Sequence, residues 1–231
     1  MSELIFISNA RLSFPHIADP QRMVVEATGK ERISYNCELI LAPTDPGFAH
    51  FIKVVNEMAL AKWTDTAAQT MAMIHSDRRK RCFGKGEEKV NGKTFKPYDG
   101  YEGHVYITAG RDSMPQIIGP DGSAIDPTNT MACQAIARKM YGGAYINAAI
   151  KPWLQDNKHG RAVRCDLVAV QFFADGAAFG EGATDASSMF GATPGAAAQP
   201  ALGGGHAPGF ASLAMPWDTP AAPAGLPSFL Q

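Results

Sequence analysis

Two hydrophobic periods alternate along residues 1–175. Over 33–42 (ISYNCELILA), Tyr35, Cys37, Leu39 and Leu41 fall on one side, the period-two spacing of a half-buried strand. Residues 4–14 (LIFISNARLSF) read as a strand that ends at Pro15, and 103–109 (GHVYITA) as another. Over 47–62 the spacing changes: Phe48, Phe51, Ile52, Val55, Met58 and Ala59 line up with a helical period. Thr44-Asp45-Pro46 supplies its cap, with proline in the first turn. A weaker helix is predicted from Thr66 to Ile74 and a short one over 130–140. Residues 143–154 and 160–173 form a pair of long strands joined through Asp156-Asn157-Lys158-His159-Gly160, a run of turn formers.

Short strands with one main helix among them predict a mainly β fold with α insertions, compatible with an OB-type five-stranded β-barrel. Composition then divides the chain. Residues 176–231 contain 15 Ala, 10 Gly and 7 Pro and no Lys or Arg. Such a segment buries too little apolar surface to offset its ordering entropy, so the expected division is a folded domain over 1–178 and a flexible tail over 179–231. The acids of 176–231 are Glu181, Asp185 and Asp218, so this segment carries −3 and the remainder +2 within a net −1. The four cysteines are far apart and make no CxxC pair, as in a reduced cytoplasmic protein. MSELIFISNARLSF has neither a basic leader nor a long apolar stretch, and the uncharged run 186–217 is broken by Gly and Pro, so neither a signal peptide nor a membrane span is expected.

The strand at 143–154 carries the chemistry. One side is Ala144, Ile146, Ala148, Ile150, Pro152 and Leu154; the other is Tyr145, Asn147, Ala149, Lys151 and Trp153. Two aromatic rings and a cation spaced by small residues suit a stacking platform for unpaired bases. The strand at 103–109 repeats the pattern, with His104, Tyr106 and Thr108 opposite Val105, Ile107 and Ala109. The same stripes are also what a satellite core under a helix or tail would show.

Residues 78–96 (RRKRCFGKGEEKVNGKTFK) hold eight cations and two acids, a local +6. Phe83, Phe95, Tyr98 and Tyr101 lie among or just after them. Cations neutralise phosphates and release counterions, and interleaved rings add stacking; a solvated, mobile loop is the plainer alternative. Gly86–Thr94 imitates a P-loop but has five residues where four are needed, and Asn91-Gly92 suits a type I′ hairpin turn better. His75 and Cys82 lack zinc-finger spacing, and no common catalytic motif is present.

Four segments in order resemble a family of tailed-phage single-stranded-DNA-binding proteins with an OB fold. They are ISNARLSFPHI (7–17), Tyr101-Glu102-Gly103-His104, GGAYINAAIKPW (142–153), and the Asp-Asn-Lys…Gly turn before DLVAVQFFADGAAFG (166–180). The resemblance implies coating of single strands without sequence preference, in replication or recombination within an infected bacterium. The positions it points to are Tyr101, Tyr145, Lys151 and Trp153. Proteins of this type often end in a strongly acidic tail carrying an aromatic; this chain ends Pro-Ser-Phe-Leu-Gln. Met215-Pro216-Trp217-Asp218 and 226–230 remain as candidate peptides for docking replication or recombination proteins.

The expectation is therefore a non-enzymatic binder of single-stranded DNA in the host bacterial cytoplasm, with no metal or organic cofactor and with a homodimer left open. Arg78, Arg79, Lys80 and Arg81, with the lysines to Lys96 and Lys151, Lys158, Arg161 and Arg164, would track phosphates. Tyr106, Tyr145 and Trp153 would stack bases, with Tyr101 and Phe83 as further candidates. Two rivals stand beside it: a metal-dependent nuclease, and a phage assembly protein whose basic loop binds protein.

Overall fold

The first strand, β1 (Ile5–Val25), continues beyond Pro15, past the stretch 4–14 read as a strand from the sequence. The structure, a computed structural model, describes residues 3–25 and 29–180, which lie within one compact unit. Register between β1 and the next strand, β2 (Lys30–Leu41), shifts between Ser13 and His16 and again between His16 and Gln21. Pro15 and Pro20 fall inside those interruptions, where no ladder donor is needed. Phe14, with φ 45°, turns the chain at the first of them.

Helix α1 (Pro46–Trp63) begins as predicted. The Asp45 carboxylate accepts from the backbone N–H of Gly47 (2.8 Å) and Phe48 (3.1 Å), with proline at the first helical position. Phe51, Val54, Val55, Ala59 and Trp63 are buried against the sheet. Helix α2 (Ala67–Ser76) follows after a short 3-10 turn and buries Ala67, Thr70 and Ile74. Trp63 ties both helices to the far hairpin. Its indole N–H donates to Asp156 (2.7 Å), Arg161 lies over its ring, and Arg161 also donates to Thr70 (2.9 Å).

A second 3-10 turn, Arg78–Lys80, leads into β3 (Phe83–Lys85). The chain then crosses a long loop to β4 (Val105–Arg111) and β5 (Gln116–Ile118), and α3 (Thr130–Ala137) follows. The pair β6 (Tyr145–Asn157) and β7 (Gly160–Ala174) closes the described chain. The expected type I′ turn does not form. Val90 bridges Pro97, the Asn91 side chain accepts from the N–H of Lys93 and Thr94, and the left-handed residue is Phe95 (φ 56°). Asn91 can cap its own loop in this way, so a six-residue connection replaces the two-residue turn.

The strands form one sheet in the order β3-β4-β2-β1-β6-β7-β5. Its middle five are the strands read from the sequence; β3 and β5, three residues each, are too short to show a period. The barrel is not closed: β4 approaches β7 without a ladder between them. The core lies on one side of the sheet, with Leu12, Leu39, Ile107, Ile146 and Leu167 facing α1 and α2. Gly143 is required where β6 begins. It has φ 107°, donates to the Leu12 carbonyl, and a Cβ there would meet the Ala177 carbonyl oxygen at 2.1 Å. Beyond Gly180, the Ala/Gly/Pro-rich segment and its docking peptides lie outside the described residues.

Trp63→Ala should lower stability by about 3–5 kcal/mol, the usual cost of truncating a buried Trp. Trp63→Phe, which keeps a ring but leaves Asp156 with Arg161 as its remaining partner, should cost less; urea denaturation of the three proteins checks the order.

Candidate nucleic-acid interface

The alternation read in β6 is realised. Ile146, Ala148, Ile150, Pro152 and Leu154 are buried, while Tyr145, Asn147 and Ala149 are half-buried and Lys151 and Trp153 exposed on the other side. Trp153 is 38% exposed. Its indole N–H donates to Asp166 (2.8 Å) on β7, so the ring is oriented by a bond that leaves its face uncovered. Tyr145 sits at the opposite end of the strand, beside Arg11 and Ala174 in register. Eight residues at about 3.3 Å each separate the two rings, so they do not share a site.

Trp153 opens into a groove of about 720 Å³ that occupies the gap between β4 and β7. Arg78, Arg79, Arg81, Arg164 and Arg32 line it, with Asn36 and Gln155 among the polar groups. A neighbouring hollow adds Arg111 and shares Arg32 and Trp153. The sequence thus brings one predicted ring and four predicted cations to one place. Asp77 shapes the Arg78–Lys80 turn: its carboxylate accepts from the Arg79 N–H (3.0 Å), a bond that holds it below the usual carboxylate range. Arg164 then donates to the Arg79 carbonyl (3.0 Å), pinning the turn to β7.

The cations divide by how they are engaged. Arg79 projects into solvent with its side chain 92% exposed, and Arg78 and Lys80 are exposed beside it. Lys151 and Lys158 are exposed on β6 and in the β6–β7 turn. Arg81 is different. Its guanidinium is 10% exposed, donates to the Phe83 carbonyl (2.8 Å) and pairs with Glu88 (2.8 Å), so it braces the loop. Arg161 is spent on Asp156, Thr70 and Trp63. Arg164 holds Gln155 and Arg79 while still facing the groove.

Three predicted stacking residues are corrected. Tyr101 and Tyr106 are buried, 0% and 1% exposed, and Phe83 packs edge-on against Phe51 (5.6 Å) in the core. The outward side of β4 is covered by residues 86–104, which fold back on it. Glu38 fastens them there: its carboxylate accepts from Lys89 (2.5 Å), the Tyr101 hydroxyl (2.5 Å) and Thr108 (3.3 Å). Lys89 also lies over the Tyr106 ring at 4.5 Å. Tyr101, Tyr106 and Ile40 thus form a small second core, joined by Tyr98 and Phe179. The packing reading holds on β4, while on β6 Trp153 stays exposed. Burial, with Glu88 adding to it, pushes the Tyr106 phenol up to about 12, and burial followed by Glu38 raises Tyr101 further.

Arg32, Arg111, Asn36 and Gln155 escape the sequence reading. The signal for two of them is present, since Arg32, Ser34, Asn36 and Glu38 alternate along the outward side of β2.

The family described as "Enterobacter phage Enc34, ssDNA-binding protein" matches residues 3–199. This chain belongs to that family. It is 27% identical over 177 residues to "Putative protein p50" of Acyrthosiphon pisum secondary endosymbiont phage 1, covering 76% of this chain and 85% of that protein. The fold is shared with the single-stranded DNA-binding protein from bacteriophage Enc34 in complex with ssDNA: TM-score 0.55, 22% identity, 77% of this chain and 89% of that one. It is also shared with the structure of the same phage protein described without ssDNA, at TM-score 0.54, 23% identity, and 80% and 89% coverage. Among the described residues no helix is long and apolar enough to cross a membrane.

Both buried tyrosines have raised pKa values in the folded state, so they contribute stability below about pH 10, the unfolded tyrosine value. The Tyr106 contribution is lost as pH rises from about 10 through 12, and that of Tyr101 at higher pH still. Tyr106→Phe should flatten the alkaline limb of a stability–pH curve measured by urea denaturation. Lys89→Met, which leaves Glu38 short of its cation, should cost on the order of 3 kcal/mol at neutral pH.

Proposed function

We propose that this protein binds single-stranded DNA in the β4–β7 groove and coats it without sequence preference during phage replication, recombination or repair in the host cytoplasm. The observation that carries the reading is the exposed Trp153 indole in one groove with the exposed guanidinium groups of Arg78 and Arg79, which among the described residues are engaged only by the Glu88 carbonyl and by Asp77. Stacking on an indole tolerates any base, and phosphate neutralisation carries no sequence information. Family membership supports the same substrate. The binding domain runs to Gly180, two residues past the boundary at 178 expected from composition, since Phe179 packs into the second core; the Ala/Gly/Pro-rich segment that follows is the tail that recruits replication or recombination proteins. Lys80, Lys151 and Lys158 extend the phosphate track, Arg164 sets its edge, and Tyr145 offers a half-buried ring at the far end of β6. The protein acts by binding alone: a labelled oligonucleotide incubated with it and Mg²⁺ should stay intact.

Quenching of tryptophan fluorescence by oligo-dT across a salt series tests this. Log K should fall against log salt with a slope of about −0.7 per phosphate neutralised. Trp153→Ala should weaken binding about 5- to 150-fold with the slope unchanged, read by anisotropy of labelled oligo-dT. Arg79→Ala should instead make the slope shallower by about 0.7. Parent-like affinity in Trp153→Ala would remove the stacking assignment, and no binding by the parent at low salt would remove the function.

A further inference from the structure

A second hollow, of about 730 Å³, opens on the same outward side of the sheet. Its lining includes Phe14, Tyr98, Phe179 and Lys96. Phe14 is 44% exposed, stands edge-on to Tyr98 at 5.1 Å, and is held at φ 45°. Phe95 lies in the loop between the lining residues Thr94 and Lys96; it is 81% exposed and held at φ 56°. Bulky side chains rarely adopt left-handed backbone, and its cost persists only where surrounding structure enforces it. Here two phenylalanines bear that cost beside one cleft, and both present their rings to solvent instead of the core.

The cleft adjoins the Trp153 groove. Ser13, which lines the cleft, and Glu38, which lines the groove, are direct cross-strand partners. Their Cβ atoms are therefore about 5 Å apart. The two depressions flank the Glu38–Lys89–Tyr101 cluster. The cleft's rim carries two cations, Lys93 and Lys96, exposed on the loop with Phe95, against one acid, Asp99, which accepts from the Gly180 N–H (3.1 Å). Rings inside and ammonium groups at the edge match a base and its phosphate better than an apolar protein segment.

We propose that this cleft is a second base subsite, which takes one or two unpaired bases of the strand held in the Trp153 groove. Phe14 stacks a base within it, Phe95 stacks a neighbouring base from the loop tip, and Lys93 and Lys96 meet the phosphates between. This rests on the single-strand reading of the groove, and the test separates the two.

Full-length parent, Phe14→Ala and Phe95→Gly are titrated against labelled oligo-dT and against an abasic deoxyribose-phosphate oligomer of equal length. Each variant should bind oligo-dT about 5- to 150-fold more weakly, with abasic binding and the salt slope unchanged. Phe95→Gly relieves the left-handed backbone, so its Tm should be no lower than the parent's and its loss cannot be unfolding. Parent-like affinity of both variants, in a protein that binds oligo-dT and is weakened by Trp153→Ala, overturns the subsite alone. Equal loss on both oligomers overturns it too, since the rings would then support only the loop. Tighter oligo-dT binding would mean that the rings hold a competing protein segment, and also overturns it. A parent that ignores oligo-dT overturns the single-strand reading and the subsite with it.

Discussion

Glu38 is a carboxylate almost closed off from water on the outward side of a sheet, a placement that is costly unless its oxygens are fully engaged. Lys89, Tyr101 and Thr108 engage them. Two of these three partners come from the segment between β3 and β4, so satisfying one acid folds that segment onto the sheet. What composition presents as a mobile basic loop is thereby held in place. The same closure buries Tyr101 and Tyr106, sets Glu88 where it can receive Arg81, and leaves a depression on each side. A groove with exposed arginines and a cleft with exposed phenylalanines lie on either side of one satisfied charge.

That constraint sorts cations that look alike in sequence. Arg78, Arg79, Lys80 and Arg81 are consecutive, yet only Arg81 is withdrawn from water and paired twice over. A guanidinium committed to Glu88 and a backbone carbonyl has few donors left for a phosphate, whereas an exposed one keeps its full fork. Arg161 and Arg164 show the same division of labour on β7. They join helices, hairpin and 3-10 turn, so their effect on a bound strand passes through the positions of Trp63, Gln155 and Arg79. A local charge of +6 overstates the number of phosphates this surface can neutralise.

Legibility followed the range of the interactions. The α1 cap, the helix faces, the β6–β7 pair and the two sides of β6 are local patterns, and each was readable from spacing. Exposure of Trp153 was one of two outcomes its stripe allowed; it holds because, among the described residues, no loop covers that end of β6, which extends past its last pair with β1 at Ile150. Tyr106 shows the opposite case: its alternation matched that of Trp153, but a segment from elsewhere in the chain covers it. The course of β1 past Pro15 depended on register shifts set by its partner β2, and the wide Asn91–Lys96 loop on a bridge between Val90 and Pro97. The partners of β1 around Pro15 lie more than ten residues away, and the bridge, though only eight residues long, is not marked by any turn signature at Val90 or Pro97. Arg32 was legible in principle, as an alternating polar position leading to Glu38, but nothing in β2 alone says that it faces Trp153.

The bond from the Trp153 indole N–H to Asp166 bears on specificity as well as on geometry. Indole has a single polar hydrogen, and donated to a ligand it could distinguish acceptor-bearing base edges from others. Committed to Asp166, it leaves a ligand only the π face of the ring, which every base can meet. Arginines at the groove edge offer charge to phosphates that are identical along a strand. A surface that anchors its ring through its own carboxylate has given up the contact best able to read sequence. That loss suits the proposed coating of single strands without sequence preference.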